Sequence, residues 1–324
     1  MTITVAMHRA NLDKIGSRLD ALGLDLRVLP WDDDGFDIDG RTVPPGEVEA
    51  DYVWLGIHAP NAKAQFETVL AMKRVGVLQT FNAGVDDPFY AELAKRGVRI
   101  CNSSAQGVAI AEYTIGQVMS VLQPIALQRQ QQADRVWKTT RFREISQTRW
   151  LIVGYGPIGK ALAHRVKAFG AHVSVVRRSP GADADVDRFG TSADLPEMLG
   201  QSDIVVLACP LTESTRGMAD AAFFNAMKRG MILVNIARGG LIDEQALIAA
   251  LDDGQVETAI LDVFDTEPLP TDDPLWSHPG VRLTPHTSFA GDGGPARWEG
   301  LFLDNIQLFA RGEPLIREVD PAEF

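Results

Sequence analysis

The 324-residue chain predicts an α/β fold of two doubly wound parallel-sheet domains. Short apolar runs alternate with helical stretches from one end to the other, as parallel strands joined by crossover helices require. The alternation becomes stricter from residue 149 onward, which marks a second domain. A length of 324 residues also suits two domains of ordinary size better than one.

Taken in order, Thr2–Met7 reads as a strand, and Asn11–Leu22 as a helix with apolar residues at Leu12, Ile15, Leu19 and Leu22. Leu26–Leu29, Asp51–Leu55, Val77–Phe81 and Val98–Cys101 are short apolar runs of the kind that fill a buried parallel sheet. Helices are expected between them at Ala62–Met72 and Asp87–Lys95. Trp31–Ala50 is acidic and rich in Gly and Pro, and reads as a surface loop or excursion. Residues 109–130 carry a long helical pattern that Pro124 should kink or break. Further strands are expected at Arg149–Val153, His172–Val176, Asp203–Ala208, Met231–Ile236, Thr258–Val263 and Val281–Thr284, with helices between them, including Asp243–Asp252. The tail Gly294–Gly312 is again helical in pattern.

The second domain opens on the apolar run Leu151-Ile152-Val153, followed by Gly154-Tyr155-Gly156-Pro157-Ile158-Gly159, a helical stretch and the strand His172–Val176. This is a βαβ unit with G-x-G-x-x-G at its first turn. Gly154 permits the tight turn, Gly156 lets the backbone approach a pyrophosphate, and Gly159 lets helix and strand pack closely. The free N–H groups of the helix start then face the phosphates. The second domain is therefore read as a Rossmann dinucleotide-binding domain. An NAD site normally places Asp or Glu at the end of the second strand, about 20 residues past the glycines, for the ribose 2′-hydroxyl. Here the strand runs into Arg177-Arg178-Ser179. Two guanidinium groups and a hydroxyl suit a 2′-phosphate. NADP(H) is thus the preferred cofactor and NAD(H) the alternative. The competing reading is a pair of solvated arginines ending a strand.

Bulk composition narrows the function classes. Apolar residues make up 45% of the chain, enough for two cores, and the net charge of −12 argues against nucleic acid or an anionic membrane as partner. There is no run of 18 apolar residues and no signal-like leader, so a cytoplasmic protein is expected. Cys101 and Cys209 read as reduced core residues, and six scattered histidines offer no metal site.

Ligands of open α/β sheets sit outside the strand C-termini. Arg238 follows the strand Met231–Ile236, Glu267 follows Thr258–Val263, and His286 follows Val281–Thr284. Together they can hold and reduce a 2-keto acid. Arg238 has the fork of donors to bind the carboxylate and polarise the carbonyl. His286 suits proton transfer to the carbonyl oxygen. Glu267 can orient the imidazole and favour its protonated form. Each alone has an ordinary explanation: a solvated loop charge, an acid before a proline, a core histidine. The shared placement at strand ends favours the catalytic reading.

The chain resembles the D-isomer-specific 2-hydroxyacid dehydrogenases over nearly its whole length. The motifs carrying the resemblance are Asn82-Ala83-Gly84-Val85-Asp86, Ala111-Glu112, the glycine loop, Asn235-Ile236-Ala237-Arg238-Gly239-Gly240, Leu261-Asp262-Val263-Phe264 with Glu267-Pro268-Leu269, and Thr284-Pro285-His286-Thr287. The resemblance implies a catalytic trio of Arg238, Glu267 and His286, and a substrate carboxylate held by backbone around Ala83 and Gly84 as well as by Arg238 and His286. It implies cofactor contacts at Tyr155, Pro157, Ile158, Cys209, Pro210, Ile236, Ala237, Arg238, Asp262, His286 and Ser288, beside the glycines and Arg177, Arg178 and Ser179. It also implies a flavodoxin-like substrate domain that is discontinuous, residues 1–101 with 287–324, around a second of residues 102–286, and a homodimer built partly on the long helix. Arg177 in place of an acid points to the glyoxylate and hydroxypyruvate reductase branch. Formate dehydrogenases share the fold but carry Gln where this chain has Glu267. The reaction expected is therefore NADPH-dependent reduction of a small 2-keto acid to the D-2-hydroxy acid. One alternative is a dinucleotide-sensing scaffold, which has no need of the trio. The other is a dehydrogenase for a larger or phosphorylated acid, which would need a further basic group in the loops Leu55–Ala59 and Phe81–Asp86. His58 in the first of those loops and Trp298 in the tail could narrow the pocket, with Trp298 equally readable as core.

Overall fold

The computed structural model describes residues 2–321. The chain forms two compact units: one runs up to Ala105 and resumes at Asp292, and the other is Gln106–Gly291.

The first unit contains β1 (Ile3–His8), α1 (Arg9–Asp20), β2 (Leu26–Asp32), β3 (Gly35–Ile38), β4 (Arg41–Val43), β5 (Glu49–Trp54), α2 (Ala62–Ala71), β6 (Arg74–Gln79), α3 (Pro88–Lys95) and β7 (Arg99–Cys101). Its sheet order is β4-β3-β2-β1-β5-β6-β7. The strands β2-β1-β5-β6-β7 are parallel, and counted among themselves they follow the flavodoxin-like order 2-1-3-4-5. Sequence punctuation sets the helix starts. Asn61 accepts from the Ala64 amide at 3.2 Å, and Asp87 accepts from Phe89 N–H at 2.8 Å with Pro88 at the first helical position.

Trp31–Ala50 is not the surface loop or excursion that its composition suggests: β2 runs on to Asp32, and β3 and β4 pair antiparallel beside it. Trp31 and Phe36 are buried, with ring centroids 5.3 Å apart, so this hairpin carries core. The turn Asp39–Gly40 has φ of 52° and 75°, the doubly left-handed pair that Asp-Gly supplies between hairpin strands. The abundance of Asp and Gly masked a turn signal that was present.

The second unit contains α4 (Gly107–Leu122), α5 (Ile125–Ala133), β8 (Arg149–Val153), α6 (Pro157–Ala168), β9 (His172–Val176), β10 (Arg188–Gly190), α7 (Leu195–Gly200), β11 (Ile204–Leu207), α8 (Ala221–Ala226), β12 (Met231–Asn235), α9 (Glu244–Asp252), β13 (Val256–Leu261) and β14 (Val281–Leu283). All seven strands are parallel, in the order β10-β9-β8-β11-β12-β13-β14. That is the Rossmann order with one further strand. The central strands β8, β11 and β12 are apolar because helices cover both faces, and every residue of β11 and β12 is buried. The long helical pattern breaks at Gln123–Pro124, where Gln123 is extended. The chain then returns to the first unit as α10 (Gly294–Ala310), which packs Phe302, Leu303 and Ile306 into that unit's core. Among the described residues no helix is long and apolar enough to cross a membrane. No group of three or more His, Cys, Asp or Glu among them could hold a metal ion.

Candidate active site

The glycine loop follows the central strand β8. Gly154 has φ of 106°, and a Cβ there would stand 2.6 Å from the Ala208 carbonyl. Only glycine satisfies both the backbone and the close approach of the loop after β11. A Cβ on Gly159 would run into the Gly154 carbonyl oxygen, so helix and strand pack there as closely as the motif demands. Gly156 differs: it is exposed, it caps α6, and a Cβ there would meet nothing within 4 Å. The chain itself does not require a glycine at that position. Open space at a helix N-terminus fits a phosphate group, and Pro157 takes the first helical position, where no N–H is needed. The residues present therefore fit a dinucleotide. Tyr155 packs edge-on against Phe189, with centroids 5.3 Å apart. At the end of β9, Arg177 is half-buried while Arg178 and Ser179 are exposed.

On the other side of β8, three neighbouring strand ends carry Arg238, Glu267 and His286. The first two loops are locked together at Gly239, where any Cβ would collide with the Phe264–Asp265 peptide. Asn235, fully buried at the end of β12, accepts from Ala237 N–H at 3.1 Å and donates to the Arg238 carbonyl at 2.8 Å. Arg238 itself is extended, with φ −148° and ψ 141°, and its Nη1 donates to the Ala237 carbonyl at 2.7 Å. Glu267 Oε1 accepts from Phe264 N–H at 2.9 Å, and its Oε2 lies 2.8 Å from His286 Nδ1. The carboxylate thus has one oxygen for its own backbone and one for the imidazole. With Nδ1 engaged, Nε2 is the atom left for proton transfer.

His286 sits in the left-handed region at φ 47°, a conformation that costs a non-glycine residue about 1–3 kcal/mol unless its surroundings enforce it. Asp262 does so. It is fully buried. Its Oδ1 accepts from Thr284 Oγ1 at 2.6 Å and Thr287 N–H at 2.9 Å, and its Oδ2 accepts from Ser288 N–H at 2.9 Å. Beside these, Cys209 follows β11, with its sulfur 3.9 Å from that of Met218. Burial pushes the Cys209 thiol up to about 11, so it is a neutral wall residue rather than a nucleophile. Ile236 and Ala237 are nearly buried, so they present backbone more than side chain, and Pro210 is exposed.

A family model described as the NAD binding domain of D-isomer specific 2-hydroxyacid dehydrogenases matches residues 115–288. The chain belongs to the D-isomer specific 2-hydroxyacid dehydrogenase family. This dehydrogenase is 30% identical to a hydroxypyruvate reductase of Blautia hydrogenotrophica, over 82% of this chain and 84% of that one. It is 31% identical to the D-3-phosphoglycerate dehydrogenase of Bacillus subtilis over 79% of this chain, but spans only 48% of that longer protein. Among solved structures it resembles a family member from Xanthobacter autotrophicus Py2 crystallised with NADPH and MES. The two have a TM-score of 0.77 and 29% identity, with 100% of this chain and 99% of that one covered. The dehydrogenase is thus an oxidoreductase of 2-keto and 2-hydroxy acids that uses a nicotinamide dinucleotide.

In the first unit of the dehydrogenase, the loop after β6 carries Ala83 and Gly84. Three successive carbonyls there are tied down: Phe81 by Trp298 Nε1 at 2.9 Å, Asn82 by Ser103 N–H at 2.8 Å, and Ala83 by Asn102 Nδ2 at 2.7 Å. In a trans peptide the following N–H points the opposite way. The amides of Ala83 and Gly84 are therefore turned away from these anchors. Trp298, only 8% exposed, is a core residue with a polar handle. Sequence reasoning assigned no task to Asn235, Thr284 or Tyr113. A polar residue closing an otherwise apolar strand, as in Met-Ile-Leu-Val-Asn, was the available signal for the first. The other two are joined by a hydrogen bond spanning 171 residues of sequence and left none.

Proposed function

We propose that this dehydrogenase is an NADPH-dependent reductase of small 2-keto acids of the glyoxylate and hydroxypyruvate kind, giving the D-2-hydroxy acid. The observation that carries the reading is the Glu267–His286 pair at 2.8 Å, one strand from Arg238. A pure binding scaffold has no use for an imidazole held at Nδ1 by a carboxylate that its own backbone orients.

Residues 154–159, with Arg177, Arg178 and Ser179 for the 2′-phosphate, would hold the cofactor. Cys209, Pro210, Ile236, Ala237, Asp262 and Ser288 would line its nicotinamide half. When bound, the dihydronicotinamide supplies a hydride to the carbonyl carbon. Arg238 binds the substrate carboxylate and polarises the carbonyl through its planar fork of donors. His286 delivers a proton from Nε2 to the carbonyl oxygen and takes it back in the reverse direction. Glu267 holds the ring in place through Nδ1. The amides of Ala83 and Gly84 are donors suited to a carboxylate. Support for NADPH comes from the arginines at the end of β9 and from the Xanthobacter relative, which was crystallised with that cofactor.

A cytoplasmic homodimer completes the reading. On α5 and the segment after it, Ile125, Leu127, Val136, Trp137 and Phe142 are exposed, Trp137 completely. An apolar surface of that kind asks for a protein partner, and a second copy through α4 and α5 supplies one.

The test is a panel of 2-keto acids assayed with NADPH and NADH side by side, together with His286→Ala. Turnover of small keto acids should be faster with NADPH. The variant should lose about 10²–10⁴-fold in kcat while NADPH still quenches its fluorescence at the same concentration. Equal use of both cofactors overturns the NADPH assignment, and near-normal turnover by the variant overturns the role of His286.

A further inference from the structure

We propose that Tyr113, on α4, is a positioning residue for His286, acting through a directed hydrogen-bond chain that ends on the buried Asp262. The inference rests on His286 being the proton-transfer group.

The direction of the chain follows from donor counting. Thr284 Oγ1 has one proton, and it goes to Asp262 Oδ1 at 2.6 Å, since a carboxylate only accepts. Tyr113, whose hydroxyl lies 2.5 Å from Thr284 Oγ1, must then be the donor to threonine. Burial pushes the Tyr113 phenol above its ordinary value, so it keeps its proton across the working pH range. The order is Tyr113 to Thr284 to Asp262, each hydroxyl polarising the next.

Asp262 is where this chain meets the catalytic loop. The amides it accepts belong to Thr287 and Ser288, the two residues directly after His286. Thr284, two residues before His286, accepts the His286 amide on its carbonyl at 3.0 Å. The left-handed turn at His286 is therefore clamped on both sides through one carboxylate and one threonine. A fully buried carboxylate is stable only while its donors stay in place. Thr284 supplies one of the three described here, and the Tyr113 hydroxyl fixes its rotamer. Without that hydroxyl, Thr284 can turn its Oγ1 away, since threonine has more than one accessible rotamer. Asp262 then loses a donor and its hold on the Thr287 and Ser288 amides weakens, while the Thr284 carbonyl keeps its bond to the His286 amide. The described hydrogen bond of Tyr113 is to Thr284, so its effect on chemistry runs through Thr284 and Asp262.

The test is Tyr113→Phe, which keeps the ring and removes one oxygen. On the protein without ligands, hydrogen exchange at the Thr287 and Ser288 amides should accelerate about tenfold, the effect of one hydrogen bond to a charged network, while amides of β12 stay unchanged. In turnover assays kcat should fall about tenfold, with substrate KM within threefold and the melting temperature within a few degrees. Thr284→Val should reproduce both effects, and Thr284→Ser, which keeps the hydroxyl, should restore them. The double variant with Tyr113→Phe and Thr284→Val should be no worse than Thr284→Val alone. Unchanged exchange at Thr287 and Ser288, or uniform acceleration across the sheet, overturns the proposal. An inactive His286→Ala beside a fully active Tyr113→Phe overturns the role of Tyr113 alone. An active His286→Ala overturns the reading on which it rests.

Discussion

Replacing Glu267 by Gln isolates what the carboxylate does, because size and shape are kept. In the structure Glu267 serves two donors at once: Phe264 N–H at 2.9 Å on Oε1 and His286 Nδ1 at 2.8 Å on Oε2. Glutamine has only one acceptor oxygen. If that oxygen keeps the backbone amide, the NH₂ group faces Nδ1 and forces the ring proton onto Nε2. If it keeps the ring, the Phe264 amide faces a donor. Either arrangement costs about 1 kcal/mol for the misplaced hydrogen bond. The lost charge adds to this. Two unit charges about 4 Å apart attract by about 1 kcal/mol in water and about 4 kcal/mol at the effective dielectric of a protein surface. The His286 and Glu267 side chains are 44% and 36% exposed, so solvent screening brings this down to about 1 kcal/mol. Together the terms amount to about 30-fold in the reduction rate. The assay is kcat/KM for keto-acid reduction, with cofactor affinity measured separately by fluorescence. Cofactor affinity should not change. A Glu267→Gln enzyme within threefold of the parent would refute the reasoning and leave the carboxylate as a structural link between the two loops.

Other outcomes follow from the same geometry. Gly154→Ala should yield little folded protein, since it combines φ of 106° with a 2.6 Å backbone contact, whereas Gly156→Ala should fold normally and bind dinucleotide weakly; expression yield and cofactor titration separate the two. Arg238→Lys keeps the charge but not the planar fork, so KM for the keto acid should rise and kcat fall together; steady-state kinetics would show it. Arg99 donates to Glu318 through two nitrogens at 2.7 and 2.8 Å and holds that carboxyl below its ordinary 4.5. A depressed carboxyl stabilises the fold above its unfolded value and loses that contribution as pH falls through the folded one. Glu318→Gln should therefore lower the melting temperature at neutral pH, with the gap closing in acid. Trp137→Ser should shift the sedimentation profile towards monomer if the exposed arm pairs two copies.

What was legible in the sequence divides along a physical line. Elements announced by local chemistry came through. The glycine loop lies between β8 and α6 where its spacing put it, and β8 and β9 have the bounds their apolar runs gave. The long helix breaks where Pro124 said it must. Placement of Arg238, Glu267 and His286 after β12, β13 and β14 needed only the rule that ligands meet parallel sheets at their strand ends. The hairpin of β3 and β4 was lost among polar and turn residues, although Phe36 is buried against Trp31 of β2 and ties it to the core.

What did not come through is the support under Arg238, Glu267 and His286. Gly239 reads in sequence as one of two glycines after an arginine. In space it is the point where the Arg238 loop and the Glu267 loop share a surface with no room for a methyl group. Asp262 reads as an acid inside the expected strand Thr258–Val263 and, through the resemblance, as a cofactor contact, yet its three described donors hold the turn on which His286 stands. Such contacts join residues tens to hundreds of positions apart, so no window of sequence contains both partners, and propensity is silent about them. They also decide whether the trio functions as one. An imidazole at φ 47° without its buried carboxylate would relax to an ordinary conformation and move its Nε2 with it. A displacement of about 1 Å at a reacting atom is enough to cost about 10²-fold in rate. Arg238, Glu267 and His286 can be read from the strand ends, but their alignment is a property of the buried polar chain beneath them.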